Sequence, residues 1–253
     1  MLTFNSQFPQ GRFGNILMQN IGLSVIGKKY NLKCKYHWKD KNGFNYNLDS
    51  CLKKNFNFFS EGRILEGSKK LYSDFSKPNI EDLFTKKEIS EPIEIESFLQ
   101  KDCILYGQEK IMNSIIKKNN IEFFDQVFIH VRLGDREKFG PGFNYYKNAL
   151  KQINFKSGII SSDSPKNKVV QKLIKKYNLS LYLTQNIQEI ISNGSKYEYR
   201  IITGGSFGWL IGYLGDNNNV YYVKNTYKKF NPFVKQINHW PDELFKNSGW
   251  KGL

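Results

Sequence analysis

The sequence predicts an α/β fold built on a parallel, doubly wound sheet, and three observations carry that expectation. From residue 101 onward, short apolar runs of strand length alternate with segments of helical length. The helical segments repeat apolar residues every three or four positions, as "QEKIMNSIIKKN" does at Ile111, Met112, Ile115 and Ile116. Strand followed by helix, repeated, covers both faces of a parallel sheet.

Taken in order, "MLTFNSQF" reads as a short strand, "PQGRFG" as a glycine-bearing loop and "NILMQNIGLSVIGKKYN" as a helix. Residues 31–100 carry turn signals in "KDKNGFNYN", "EGRILEGSKK" and "SKPNIEDLF" and give no long periodic segment, so they read as an irregular region with small helices. "DCILYG" then reads as a strand. After the helix at 108–119 come "QVFIHVR", "SGIISS", "LSLYLT", "EYRIITGG" and "NNVYYVKN" as strands. Between them "FNYYKNALKQI", "SPKNKVVQKLIKKYN", "NIQEIISN" and "SFGWLIGYLG" read as helices, with Pro165 near a helix start, where its missing N–H costs nothing. This gives an N-terminal lobe over 1–120, a Rossmann-like lobe over 121–225, and a segment, 226–253, that packs back on the first lobe.

Composition narrows the function classes. With 253 residues, 40% of them hydrophobic, the chain can bury a core without cross-links, and a mean hydropathy of −0.55 reflects lysine and asparagine between apolar blocks. Three scattered cysteines show neither a disulfide framework nor a zinc pattern. The three histidines are far apart and no D-x-D pair occurs, which argues against a divalent-metal mechanism. No basic leader precedes a long apolar run and no window is long enough to span a bilayer, so a cytoplasmic protein, at most peripheral on an anionic membrane, is expected. A net charge of +15 draws phosphorylated ligands, anionic lipid or nucleic acid alike. The lysine clusters, among them "LIKKYN", read as exposed surface.

The densest chemistry lies in "VFIHVRLGD" (127–135), where His130, Arg132 and Asp135 occupy or follow the carboxyl end of a buried strand. Ligands of doubly wound sheets bind there. Arginine suits a phosphate or carboxylate through two parallel charge-assisted bonds; alternatively Arg132 pairs with Asp135 and holds a turn. His130, two residues earlier, shares its face of the strand. In "QGRFGN" (10–15) the loop before a helix can cradle a phosphate or simply turn the chain. "IITGGSFGWLIG" (201–212) repeats that layout, with Gly204 and Gly205 as turn formers or a phosphate nest, and Ser206 at a helix N-cap. "GIISSDSP" closes another strand with Asp163, a helix cap or a ligand-facing carboxylate.

Set side by side, these segments resemble glycosyltransferase family 11, the α-1,2-fucosyltransferases. "GRFGNILMQN" is similar to the family's G-G-L-G-N-Q-M-F-Q segment, "HVRLGD" to its H-V-R-R-G-D motif, and "TGGSFGWLIGYL" to its N-S-S-F-S-W-W-G-A-W-L segment. "LYGQEKI", "NYYKNAL", "SSD" and "HWPDELFKNSGW" echo it further, in matching order across nearly the whole chain. Leu133 stands where the motif has its second arginine, Gly205 where it has a serine, and Gly208, Trp209 and Leu210 in the S-W-W run.

The resemblance implies a GT-B-type architecture, two Rossmann-like lobes with the active site in the cleft between them. It implies metal-independent, inverting transfer from GDP-β-L-fucose to a hydroxyl of a glycan acceptor, forming an α-1,2 linkage, with no cofactor. Arg132 would bind the diphosphate with His130 beside it, and Gly14 and Asn15 would approach donor or acceptor from the first lobe. Asp163 would read the guanine, and Gly205, Ser206 and Phe207 would lie against the phosphates. Arg132, His130 and Asp135 are the candidate catalytic residues; the base is left open to a carboxylate or a histidine, with Asp135, which could instead orient Arg132, and Asp40 as the carboxylate candidates. Two rival readings stand beside this one. One is a basic nucleic-acid or polyanion binder, for which no recognised module occurs and the basic residues look dispersed. No nucleic-acid partner is therefore expected. The other rival is a non-catalytic nucleotide-sugar-binding relative, suggested by Leu133 and the altered serine motif.

Overall fold

The computed structural model describes residues 1–4, 12–39, 42–73, 77–97, 99–133, 140–224, 245 and 248–253. The chain divides into two compact units, Met1–Lys117 and Lys118–Leu253, each α/β with a parallel sheet. Among the described residues no helix is long and apolar enough to cross a membrane.

In the first unit, β1 (Leu2–Phe4) leads towards α1 (Phe13–Tyr30), and β2 (Cys34–Lys35), β3 (Lys70–Ser73) and β4 (Ile93–Glu96) complete a sheet of order β2-β1-β4-β3. The 31–100 region is therefore not merely irregular. Its strands are two to four residues long and gain order by pairing with β1 and with each other, as in Leu2↔Ile93 and Tyr72↔Ile95. α1 is buried on almost every side, the polar Gln19, Asn20 and Ser24 included, the expected behaviour of a helix at the centre of a unit. Gly27 lets it approach β2: a β-carbon there would fall 2.1 Å from the Cys34 sulfur. "DCILYG" is not a strand: Asp102–Leu105 forms α4, with the Ile104 and Leu105 N–H groups bonded to Lys101 O, ahead of α5 (Glu109–Ile115). A short apolar run has no periodicity to choose between the two forms, and packing on α1 decides it.

The second unit follows the expected alternation. β5 (Phe123–Val131), α6 (Phe143–Leu150), β6 (Ser157–Ser162), α7 (Lys168–Tyr177), β7 (Ser180–Leu181), α8 (Ile187–Gly194), β8 (Tyr197–Ile202), α9 (Ser206–Tyr213) and β9 (Val220–Tyr222) succeed one another. β10 (Lys251–Gly252) pairs with β9. Thus the described end of the 226–253 segment, expected on the first lobe, forms an edge strand of this sheet; Phe245 also stacks on Tyr222, ring centroids 4.9 Å apart. All pairs are parallel, in the order β10-β9-β8-β5-β6-β7, which is compatible with a Rossmann-like fold.

The faces of β5 sort cleanly. Val127, Ile129 and Val131 join Tyr146 and Ala149 of α6 and Val170 and Leu173 of α7 in one core. Phe128 faces the opposite side, where a β-carbon on Gly194 of α8 would fall 2.7 Å from its ring. Side chains alternate along a strand, so His130 shares the Phe128 face. α7 is capped by Asn167, whose side chain accepts from Val169 N at 2.9 Å; neither Asp163 nor Pro165 fills that place.

Candidate functional site

The order of the second sheet reverses between β5 and β8. From β5 the chain winds outward through β6 to β7, then crosses back to β8 and winds the other way to β9 and β10. At such a reversal the connections leave two neighbouring strands in opposite directions and open a crevice at their carboxyl ends. His130 lies opposite Ile202 at the end of β8 and opposite Ser161 of β6. The register alone therefore gathers the ends of "VFIHVR", "IITGG" and "GIISSD" into one place.

Around that crevice the side chains interlock. The His130 ring sits 4.8 Å from the Phe207 ring at the start of α9, and its Nδ1 lies 3.4 Å from Ser161 Oγ. Arg132 is half-buried, and its Nη1 lies 3.9 Å from the position a β-carbon would take on Gly205. Gly205 has φ +101°, a left-handed conformation that glycine adopts without strain. It is also the N-cap of α9, so Ser206, expected at that cap, is instead the first helical residue and buried. Gly208 brings the helix hard against β8, for a β-carbon there would fall 2.2 Å from Thr203 O. The guanidinium thus stands over the head of a helix whose first N–H groups lack intrahelical partners. A cation and a helix N-terminus together suit an anion.

Asp163 is exposed, and its Oδ1 accepts from the backbone N–H of Leu133 at 2.8 Å. The carboxylate after β6 therefore grips the residue that follows Arg132 and fixes where the guanidinium emerges. Tyr145 of α6 provides a second brace: its hydroxyl donates to Ile202 O at 2.7 Å, with Tyr221 O a second acceptor at 3.0 Å.

Of the residues expected from sequence, His130, Arg132, Asp163, Gly205, Ser206 and Phe207 belong to this unit, and the structure brings His130, Arg132, Gly205 and Phe207 together at its crevice. Gly14 and Asn15 lie at the first turn of α1 in the other unit, where Asn15 Oδ1 accepts from Gln100 Nε2 at 3.4 Å. Asp135 and Asp40 lie outside the described residues. Ser161, Thr203 and Tyr145 were not singled out by sequence. Ser161 and Thr203 are buried hydroxyl residues at strand ends, and among the described residues Thr203 Oγ1 has no hydrogen-bond partner. A polar residue closing an apolar run was the available signal.

Burial, the largest influence, pushes the His130 imidazole down to about 4 from an ordinary 6.5; Asp163 pulls the other way and Arg132 adds to the depression. The ring is neutral near pH 7. As the pH falls through 6.5 the unfolded chain takes up a proton that the folded ring refuses until about 4. Stability should therefore fall across that window at about 1.4 kcal/mol per pH unit from this residue. Urea midpoints of the wild type and His130→Gln over the same range measure it: the substitution removes that part of the slope, and identical slopes would contradict a buried neutral ring.

Comparison with known proteins returns no matching family model, no matching curated protein and no matching solved structure.

Proposed function

We propose that the chain is an inverting, metal-independent glycosyltransferase of GT-B-type architecture. It moves fucose from GDP-β-L-fucose to a hydroxyl of a glycan acceptor in an α-1,2 linkage, with a donor lobe in the second unit and an acceptor lobe in the first. The observation that carries this reading is Arg132 beside Gly205 at the head of α9, where the strand order reverses. In this reading the guanidinium and the first N–H groups of α9 hold the diphosphate. As the bond from C1 to the β-phosphate oxygen breaks, negative charge gathers on that phosphate, and donors already aimed there stabilise the transition state more than the ground state. The acceptor oxygen attacks C1 from the opposite side and loses its proton to a base. His130, neutral with a strongly depressed pKa, is better suited to orient the site by hydrogen bonding than to take that proton.

Thermal unfolding with GDP, GDP-fucose, GDP-mannose and UDP tests the reading. A ligand at a hundred times its dissociation constant adds about 2.7 kcal/mol. GDP and GDP-fucose are expected to raise Tm by on the order of 5 °C or more, UDP by little. No shift with any guanine nucleotide would remove the proposal.

A further inference from the structure

Nearly half of the chain's excess positive charge falls in one short stretch. Residues 141–180 contain eight lysines, one aspartate, Asp163, and no glutamate or arginine. Along the chain these lysines look scattered, but the fold collects them. On α7, Lys168, Lys172, Lys175 and Lys176 are exposed and fall within one side of the helix, opposite the buried Val170 and Leu173. α6 packs beside α7 and adds Lys147 and Lys151. The two helices are joined by charge as well as by packing: Lys172 Nζ sits 4.3 Å and Lys176 Nζ 5.8 Å from the centroid of the same Phe143 ring.

An ordinary solvated helix mixes glutamate with its lysines at spacings of three and four, which neutralises the surface locally. α7 has no acidic residue, and no described carboxylate pairs with these six lysines. Holding so many ammonium groups side by side is repulsive unless an anionic partner covers them. Two features select the partner. Lysine is a compact, hydrated point charge suited to a diffuse negative field, and the planar arginine fork that reads individual phosphates is missing. The ring on this face, Phe143, is covered by ammonium groups instead of being open for a base to stack on.

We propose that the exposed lysine face of α6 and α7 docks the protein on an anionic lipid surface. Each lysine near such a surface strengthens binding about fivefold, and the attraction fades with added salt.

Co-sedimentation of the full chain with vesicles of phosphatidylserine and phosphatidylcholine, and with phosphatidylcholine vesicles alone, tests this. The wild type is expected to bind the mixed vesicles, not the neutral ones, and to be released by salt. Lys172→Glu/Lys175→Glu/Lys176→Glu should lower the affinity by about a hundredfold or more. Lys54→Glu/Lys86→Glu/Lys87→Glu, exposed lysines of the first unit, makes the same change in net charge and should have little effect. Unchanged circular dichroism and Tm verify that both variants fold; should the first fail, Lys172→Gln/Lys175→Gln/Lys176→Gln replaces it. Equal binding to neutral vesicles, or equal loss in both charge-reversed variants, overturns the proposal. So does tight, face-dependent retention on single-stranded nucleic acid without vesicle binding.

Discussion

In the proposed reaction, Arg132→Ala is expected to lower the rate of transfer by two to three orders of magnitude or more while leaving the fold intact. The loss corresponds to about 3–4 kcal/mol of transition-state stabilisation, the usual consequence of deleting one donor aimed at developing negative charge. The fold is spared because the side chain is only half-buried and reaches from the strand end towards the Gly205 turn, outside the packed apolar faces of β5. Initial rates with GDP-fucose and a galactoside acceptor, alongside urea unfolding, separate the two effects. Asp163→Ala serves as an instructive partner. It frees the Leu133 N–H and lets the guanidinium wander, so its rate loss should be smaller than that of Arg132→Ala. A variant lacking Arg132 with a full rate would refute the assignment.

The largest loss of stability is expected at Arg200, a fully buried cation in the middle of β8. Its Nη1 donates to Ser195 O at 2.8 Å, and its Nη2 to Asn217 O at 2.5 Å and Asn217 Oδ1 at 2.6 Å. Burial pushes its pKa down to about 10, against the pull of Asp216, so it remains charged. Gly215 makes the room, since a β-carbon there would fall 1.5 Å from Nη1. Arg200→Ala leaves a cavity and strips buried carbonyls of their donor, together costing about 3–4 kcal/mol. Arg200→Met refills much of the space and should cost less. Urea denaturation of the two variants tests this, and equal losses would show that volume plays no part.

How much of this was readable in advance depended on where each element's order comes from. The strands of the second unit are legible because "VFIHV" and "YRII" are mostly apolar, interrupted once each by the buried His130 and Arg200. The strands of the first unit are not. "CK" and "KLYS" are too short or too polar for a period to emerge, "IEIE" alternates over only four residues, and all three are specified by partners distant in sequence, as Leu71↔Glu94 shows. Likewise the motifs "HVR" and "TGGSF" name residues that the structure brings together, but their meeting is a property of the β5–β8 pairing, which no local pattern contains. Ser161 and Tyr145 escaped notice for the same reason: one matters through its register opposite His130, the other through a hydroxyl that reaches from a helix to carbonyls of two strands. Gly205 displaced Ser206 from the cap because the turn required a positive φ.

The strand order also governs how a nascent chain reaches this state. β5 is flanked by β6 and β8, and although β6 is close in sequence, β8 emerges from the ribosome only after β6, α7, β7 and α8 have been made. Until then the largely apolar stretch Val127–Val131 has one side unpaired, with a row of peptide groups open to any other growing polypeptide. The crevice itself has no existence before Phe207 has been translated. A chain interrupted between β6 and β8 would thus have neither the His130–Phe207 contact nor a protected central strand.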